Sequence, residues 1–314
     1  MAAEVVTISE AASGASADVL VSLGFNCFRF TATPPVGPIE VLWAHQNFGS
    51  GSERPSGSGI PILFPFPGRI RGTTFDWEGR AYEQEPSDPF GNAIHGFVHK
   101  RPWRMIGRTE NSVTGQFHAS QDDVSLKERW PADFCITATY SIIGGALKLE
   151  YMLENRGDEA LPCGFGVHPY FRVPIGGGVA DHCLVRLPVS AEWELVNMLP
   201  TGRRLELADA AQFAKGQRFG ELKLDNVFSG LAFNGRWCEA SINDPTSALT
   251  MAIRSSDAFR EFVVYTPPHR QAICIEPYTC VPGPFELAQQ GIDSGLSILQ
   301  PGEEKRAVVE IAVA

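Results

Sequence analysis

The chain has 314 residues, 44% of them hydrophobic and 20% charged, which is apolar material enough for a sizeable core. Its formal net charge is −10 and no Lys/Arg-rich run occurs, a balance that repels phosphate backbones and argues against nucleic acid as a partner. The seven cysteines are odd in number, widely spaced and free of any CxxC pair, which reads as buried reduced thiols in a cytoplasmic protein and not as a secreted disulfide scaffold.

From Met1 to Ala17 there are acidic residues, no basic ones and no apolar core of signal-peptide length. No stretch anywhere reaches the ~18 apolar residues that span a bilayer, so no membrane partner is expected. Short apolar runs follow, broken by turn residues: Val19–Leu23, Cys135–Ile142, Leu147–Leu153 and Phe262–Thr266. Leu147–Leu153 alternates apolar with polar residues, the period-two signature of a half-buried strand. Arg306–Val313 reads as a final strand after the turn Gln300–Glu303. Short helices are expected at Ala208–Phe213 and Phe285–Gln290. The 31 glycines and 23 prolines are dispersed, and the Gly/Ser-rich Ser50–Gly59 and Gly176–Gly178 are loops with strand-like sequence on both sides. Many short strands with Gly/Pro turns predict an all-β sandwich or barrel, one domain over 1–314.

Four segments place ionisable residues among glycines, prolines and aromatics. Gly59–Ile70 carries three prolines and ends at Arg69; its stiff path suits a binding wall, or an edge strand with a surface arginine. Ile94–Trp103 carries His95 beside Gly96, where the missing side chain leaves the histidine open to a ligand. Trp103 would offer an apolar face to a ligand or fill the core. His95 and His99, four apart, share a face on a helix or a strand, but Gly96, Val98 and Pro102 disfavour a helix and a pair falls short of the four ligands of a structural zinc site. Gly164–Phe171 contains His168, which Pro169 forces into extended backbone; a histidine so fixed is structural or a tuned general acid. Ile273–Phe285 contains Glu276 at the end of an apolar strand, where a carboxylate is paired, raised in pKa or reaching solvent. Cys274 and Cys280 flank it without an evident nucleophilic role.

These segments, in this order, resemble the aldose 1-epimerase (galactose mutarotase) family. The run closing in Gly68-Arg69-Ile70, the strand-turn-strand Gly72–Tyr82, His95-Gly96, His168-Pro169-Tyr170-Phe171 and Glu276-Pro277-Tyr278-Thr279 are similar to the family's elements. Leu199–Gly202, Leu224–Phe228 and Leu299–Glu303 are weaker matches, and the resemblance spans about residues 18–313. Gly68 replaces an asparagine common before the Arg-Ile pair, and Phe97 stands where galactose enzymes carry a second glycine.

The resemblance implies a large antiparallel β-sandwich of the galactose mutarotase-like type with few short helices. It also implies an enzyme that interconverts the α and β anomers of an aldose, with no cofactor and no metal. Glu276 would be the base that takes the C1 hydroxyl proton and His168 the acid that protonates the ring oxygen, held in opposition across the sugar. Arg69 and His95 would bind ring oxygens and Asp225 the distal hydroxyls. A hexose-phosphate 1-epimerase would need cations for the phosphate, with Arg71, Arg101 and Arg104 as candidates. A carbohydrate-binding protein without turnover could dispense with Glu276 or His168, and both are present.

Overall fold

The computed structural model describes residues 3–314; Met1 and Ala2, the start of the N-terminal stretch read above, lie outside the described residues. Two large sheets dominate, one of nine strands and one of eight. Their ladders are antiparallel, as in the pairing of Phe134–Ile143 with Ala146–Asn155 and of Glu261–Tyr265 with Ala272–Tyr278. A smaller four-stranded sheet, from Val5–Glu10 to Ile39–Glu40, precedes them. The α-helices among the described residues are short: Ala119–Asp122, Ala210–Lys215 and Pro284–Gln289. Among the described residues no helix is long and apolar enough to cross a membrane. The expected antiparallel sandwich is therefore the fold observed.

The sheets meet through alternate side chains. In Ala146–Asn155, Leu147, Leu149, Tyr151 and Leu153 are buried while Lys148, Glu150 and Met152 point outward, as the alternation predicts. Leu147 and Leu149 share one apolar cluster with Phe262, Val264, Ile273 and Ile275 of the eight-stranded sheet. That cluster is the centre of the sandwich. The intervening residues of the same two strands, Val263, Tyr265, Cys274, Glu276 and Tyr278, must project from the other face. That second face is covered too, so every residue of Ala272–Tyr278 is buried.

Segment ends shift slightly from expectation. The strand containing Val19 runs Ala15–Leu20 and turns before Leu23. The two expected helices form at Ala210–Lys215 and Pro284–Gln289, within two residues of the predicted spans. Gly72–Tyr82 folds as the hairpin Thr74–Trp77 and Arg80–Glu83, with Glu78 and Gly79 at positive φ in a two-residue turn.

Candidate functional site

The outer face of the eight-stranded sheet opens into a cleft of about 220 Å³. Arg69, His95, His168, Asp225 and Glu276 all line it, so the five residues singled out from the sequence come together in space. Tyr170, Tyr265, Tyr278 and Arg54 line it as well.

Glu276 rises from the middle of the sheet, 1% exposed. Burial pushes its carboxyl well above the ordinary carboxylate range; a hydrogen bond from Tyr278 acts against that, and nearby Asp225 adds to it. His168 follows the short strand Gly166–Val167 at the next position in the sheet. Its backbone is fixed from the stiff proline segment: His168 N–H donates to Pro61 O at 3.0 Å, and Tyr170 N–H to Gly59 O at 2.9 Å. The rigidity read from Gly59–Ile70 thus serves to hold the histidine. The His168 ring stacks on Tyr170 at 4.8 Å between centroids, and Tyr170 O–H donates to Ser56 O. Burial lowers the His168 imidazole to about 3.

His168 Nε2 lies 3.3 Å from Glu276 Oε1. The two were expected to face each other across a sugar; instead they are neighbours on one wall. The strand order puts Gly166–Val167 beside Ala272–Tyr278, and neither sheet position can move to the far side of the cleft. Burial penalises charge on both, raising the carboxyl and lowering the imidazole, which favours a protonated carboxyl beside a neutral imidazole.

Arg69 and His95 arrive together because the short strands Arg69–Ile70 and Ala93–Ile94 pair. Gly68 precedes Arg69 at φ 64°, and a methyl group there would stand 2.7 Å from Pro282 Cγ, so glycine is required. Arg69 Nε donates to buried Asp88 Oδ2 at 2.8 Å, which anchors the guanidinium and leaves its terminal nitrogens for the cleft. His95 has φ 67°, a strained conformation for a residue with a side chain, and its N–H is held by Gly68 O. Its ring meets His168 edge-on at 5.6 Å.

Gly96 has a different purpose from the one read in the sequence. A Cβ there would sit 2.3 Å from Phe64 O, so glycine permits backbone contact and does not unshield His95. Trp103 takes the core reading: it is 5% exposed, stacks on Phe25 and donates to Val98 O. His99 is buried and held neutral, its imidazole lowered to about 3. Asp225 stands at the open mouth of the cleft, where the surrounding walls raise its carboxyl and Arg69 acts against that.

Arg71 pairs with Glu286, Arg101 with Asp123 and Arg104 with Asp122, and none of the three lines the cleft. Arg54 does line it and forms no ion pair among the described residues; its Nε donates to Ser56 Oγ. Arg54 lies in a Gly/Ser-rich loop with no periodicity, so the sequence carried no signal for it. Tyr278 carried one: it is two residues beyond Glu276 on the same apolar strand, hence on the same face.

Among the described residues, one set of donors lies within metal-binding reach: His168, Cys274 and Glu276, with ligand atoms within 4.8 Å of one another. A structural zinc site takes four ligands, normally with its thiols ionised. Here there are three, and burial pushes the Cys274 thiol well above its ordinary value.

Residues 39–312 match the model of the aldose 1-epimerase family. YihR of Escherichia coli K12, an uncharacterized protein, is 26% identical over 80% of this chain and 77% of its own length. A Salmonella typhimurium protein provisionally named a glucose-6-phosphate 1-epimerase is 30% identical over 44% of this chain and 40% of its own. A galactose mutarotase-like protein of Clostridium acetobutylicum superposes with a TM-score of 0.86 at 21% identity, over 100% of this chain and 99% of that one. The galactose 1-epimerase of Lactobacillus acidophilus gives 0.74 at 17% identity, over 99% of both chains. These two likenesses are of fold. The family match covers nearly the whole chain and spans all five cleft residues, and the chain belongs to the aldose 1-epimerase family.

Proposed function

We propose that this chain is an aldose 1-epimerase that interconverts α and β anomers by general acid–base catalysis, with its own side chains and no cofactor. The observation that carries the reading is the buried Glu276–His168 pair, 3.3 Å apart on the wall of an open cleft.

Ring opening needs one proton removed from the C1 hydroxyl and one delivered to the ring oxygen O5. In this reading the sugar lies along the wall with C1–O1 towards Glu276 and O5 towards His168. Across the 3.3 Å contact a proton passes from the protonated Glu276 carboxyl to His168, giving carboxylate and imidazolium. The carboxylate takes the O1 proton, the C1–O1 electrons form the aldehyde, the C1–O5 bond breaks, and O5 takes the imidazolium proton. The pair is left as a carboxylic acid and a neutral imidazole. Rotation about C1–C2 presents the other aldehyde face, and the same transfers in reverse close the ring. Each proton transfer typically contributes ~10²–10⁴-fold. Arg69 and His95 hold ring oxygens, and Asp225 takes distal hydroxyls at the mouth.

Arg69→Ala should raise KM about tenfold, at least as strongly as it lowers kcat, because its hydrogen bonds are made in ground and transition states alike. A fall in kcat alone, with KM unchanged, would assign Arg69 to the chemical step instead. Turnover should survive exhaustive chelation, because proton transfer suffices for the reaction. If EDTA abolished activity and zinc or manganese restored it, the His168–Cys274–Glu276 set would become a metal site.

A second reading, a hexose-phosphate 1-epimerase, is supported by the unpaired Arg54 at the cleft and by the provisional name of the Salmonella relative. Polarimetry on freshly dissolved single anomers tests the function and separates the two readings. The first expects free aldoses to be turned over at least as well as their 6-phosphates. A strong preference for glucose 6-phosphate would move the assignment to the second.

A further inference from the structure

We infer that Tyr278 is a positioning residue, whose hydroxyl holds one carboxylate oxygen of Glu276 and leaves the oxygen facing His168 as the atom that exchanges the proton. The inference rests on the acid–base reading above. Tyr278 and Glu276 are two apart on Ala272–Tyr278 and so share the cleft face. Tyr278 O–H donates to Glu276 Oε2 at 2.7 Å, while His168 Nε2 lies 3.3 Å from Oε1. The two oxygens are thereby distinguished.

The tyrosine ring is itself held. It is 1% exposed and packs with Leu63, Val263 and Val281. A methyl group at Gly166 would stand 2.5 Å from Tyr278 Cδ1, so the bare backbone of Gly166 makes the space the ring occupies. The phenol remains a donor, because burial pushes its own ionisation well above the ordinary tyrosine value. A donor to the carboxylate stabilises its charged form, which is the form the reaction uses.

The other titratable groups facing Glu276 are His168 and Tyr170 beyond Gly166–Val167, Arg69, Asp225, Tyr265 on the adjacent strand, and Cys274 on its own. Tyr278→Phe leaves all of them in place and keeps the ring against Gly166. It should lower kcat about tenfold with KM within about threefold, the pattern of a group that acts in the transition state. The alkaline limb of kcat should move up by about one pH unit, because the pair releases its proton less readily without the donor.

Isotope-edited infrared titration of the ¹³C-glutamate-labelled protein reads the same effect without turnover, with Glu276→Gln identifying the band. The Glu276 carboxyl band should persist to higher pH in Tyr278→Phe than in the parent. Gly166→Ala, which displaces the ring, should reproduce the loss in kcat with the hydroxyl still present. Unchanged kcat in Tyr278→Phe, or a loss of kcat with the carboxyl titration unmoved, overturns the inference. If the parent protein turned over no aldose, the acid–base reading would fall, and the infrared titration alone would decide whether Tyr278 holds Glu276.

Discussion

Glu276→Gln should lower kcat by ~10²-fold or more and leave KM within a few-fold, a loss of about 2.7 kcal/mol in the transition state. The substitution keeps the shape of the side chain. Its amide oxygen can still accept from Tyr278, so the strand and its packing remain. What it removes is the proposed acceptor of the C1 hydroxyl proton, and no other carboxylate lines the cleft close enough to replace it. Asp225 lies at the open mouth, and its contact with the pair is electrostatic. Glu261, the other buried carboxyl on this face, is raised to about 7 but is engaged by Trp193 Nε1 and does not line the cleft. Polarimetry on a single anomer, with circular dichroism to verify the fold, measures the effect. Near-wild-type kcat in a folded variant would show that Glu276 is not the base.

His168→Asn should cost a similar factor. The backbone bond from residue 168 to Pro61 O does not involve the side chain, so the segment keeps its course. Pro169 continues to hold it extended. In the proposed mechanism the variant lacks the proton for O5. The pH profile of kcat/KM gives a second view of the same group. Burial lowers His168 to about 3 and raises Glu276 well above its ordinary range. The pair therefore gains a second proton only at strongly acid pH and loses its single proton only above the ordinary carboxylate range. Activity should fall towards about 3 on the acid side, and its alkaline limb should lie above the ordinary carboxylate range. An acid limb near the ordinary imidazole value of ~6.5 would mean that His168 is solvated when the protein works.

Much of this site was legible because its residues break local rules. A glutamate ending the apolar run Ile273–Ile275 and a histidine pinned before Pro169 are costly unless used, and both line the cleft. Half-buried strands were legible for a similar reason: Leu147–Leu153 alternates because one face is wet. Ala272–Tyr278 does not alternate, because the core covers one face and the cleft side the other, so its polarity pattern could not say which way Glu276 points. The adjacency of Glu276 and His168 was illegible for a further reason. It follows from which strands pair, a long-range property, whereas Pro169 and the apolar run act locally. Gly96 misled in the same way, since the carbonyl it makes room for belongs to Phe64, far along the chain.

The central claim is that Glu276 and His168 act as one unit on an aldose, and a double-mutant cycle on mutarotation tests it most directly. Rates of approach to anomeric equilibrium would be compared for the parent, Glu276→Gln, His168→Asn and the double variant. Groups that work as a unit show strongly non-additive losses. The account predicts that each single variant loses ~10²-fold or more in kcat and that the double variant loses little beyond either one. Losses that multiply, or single variants that keep the parent rate, would contradict it.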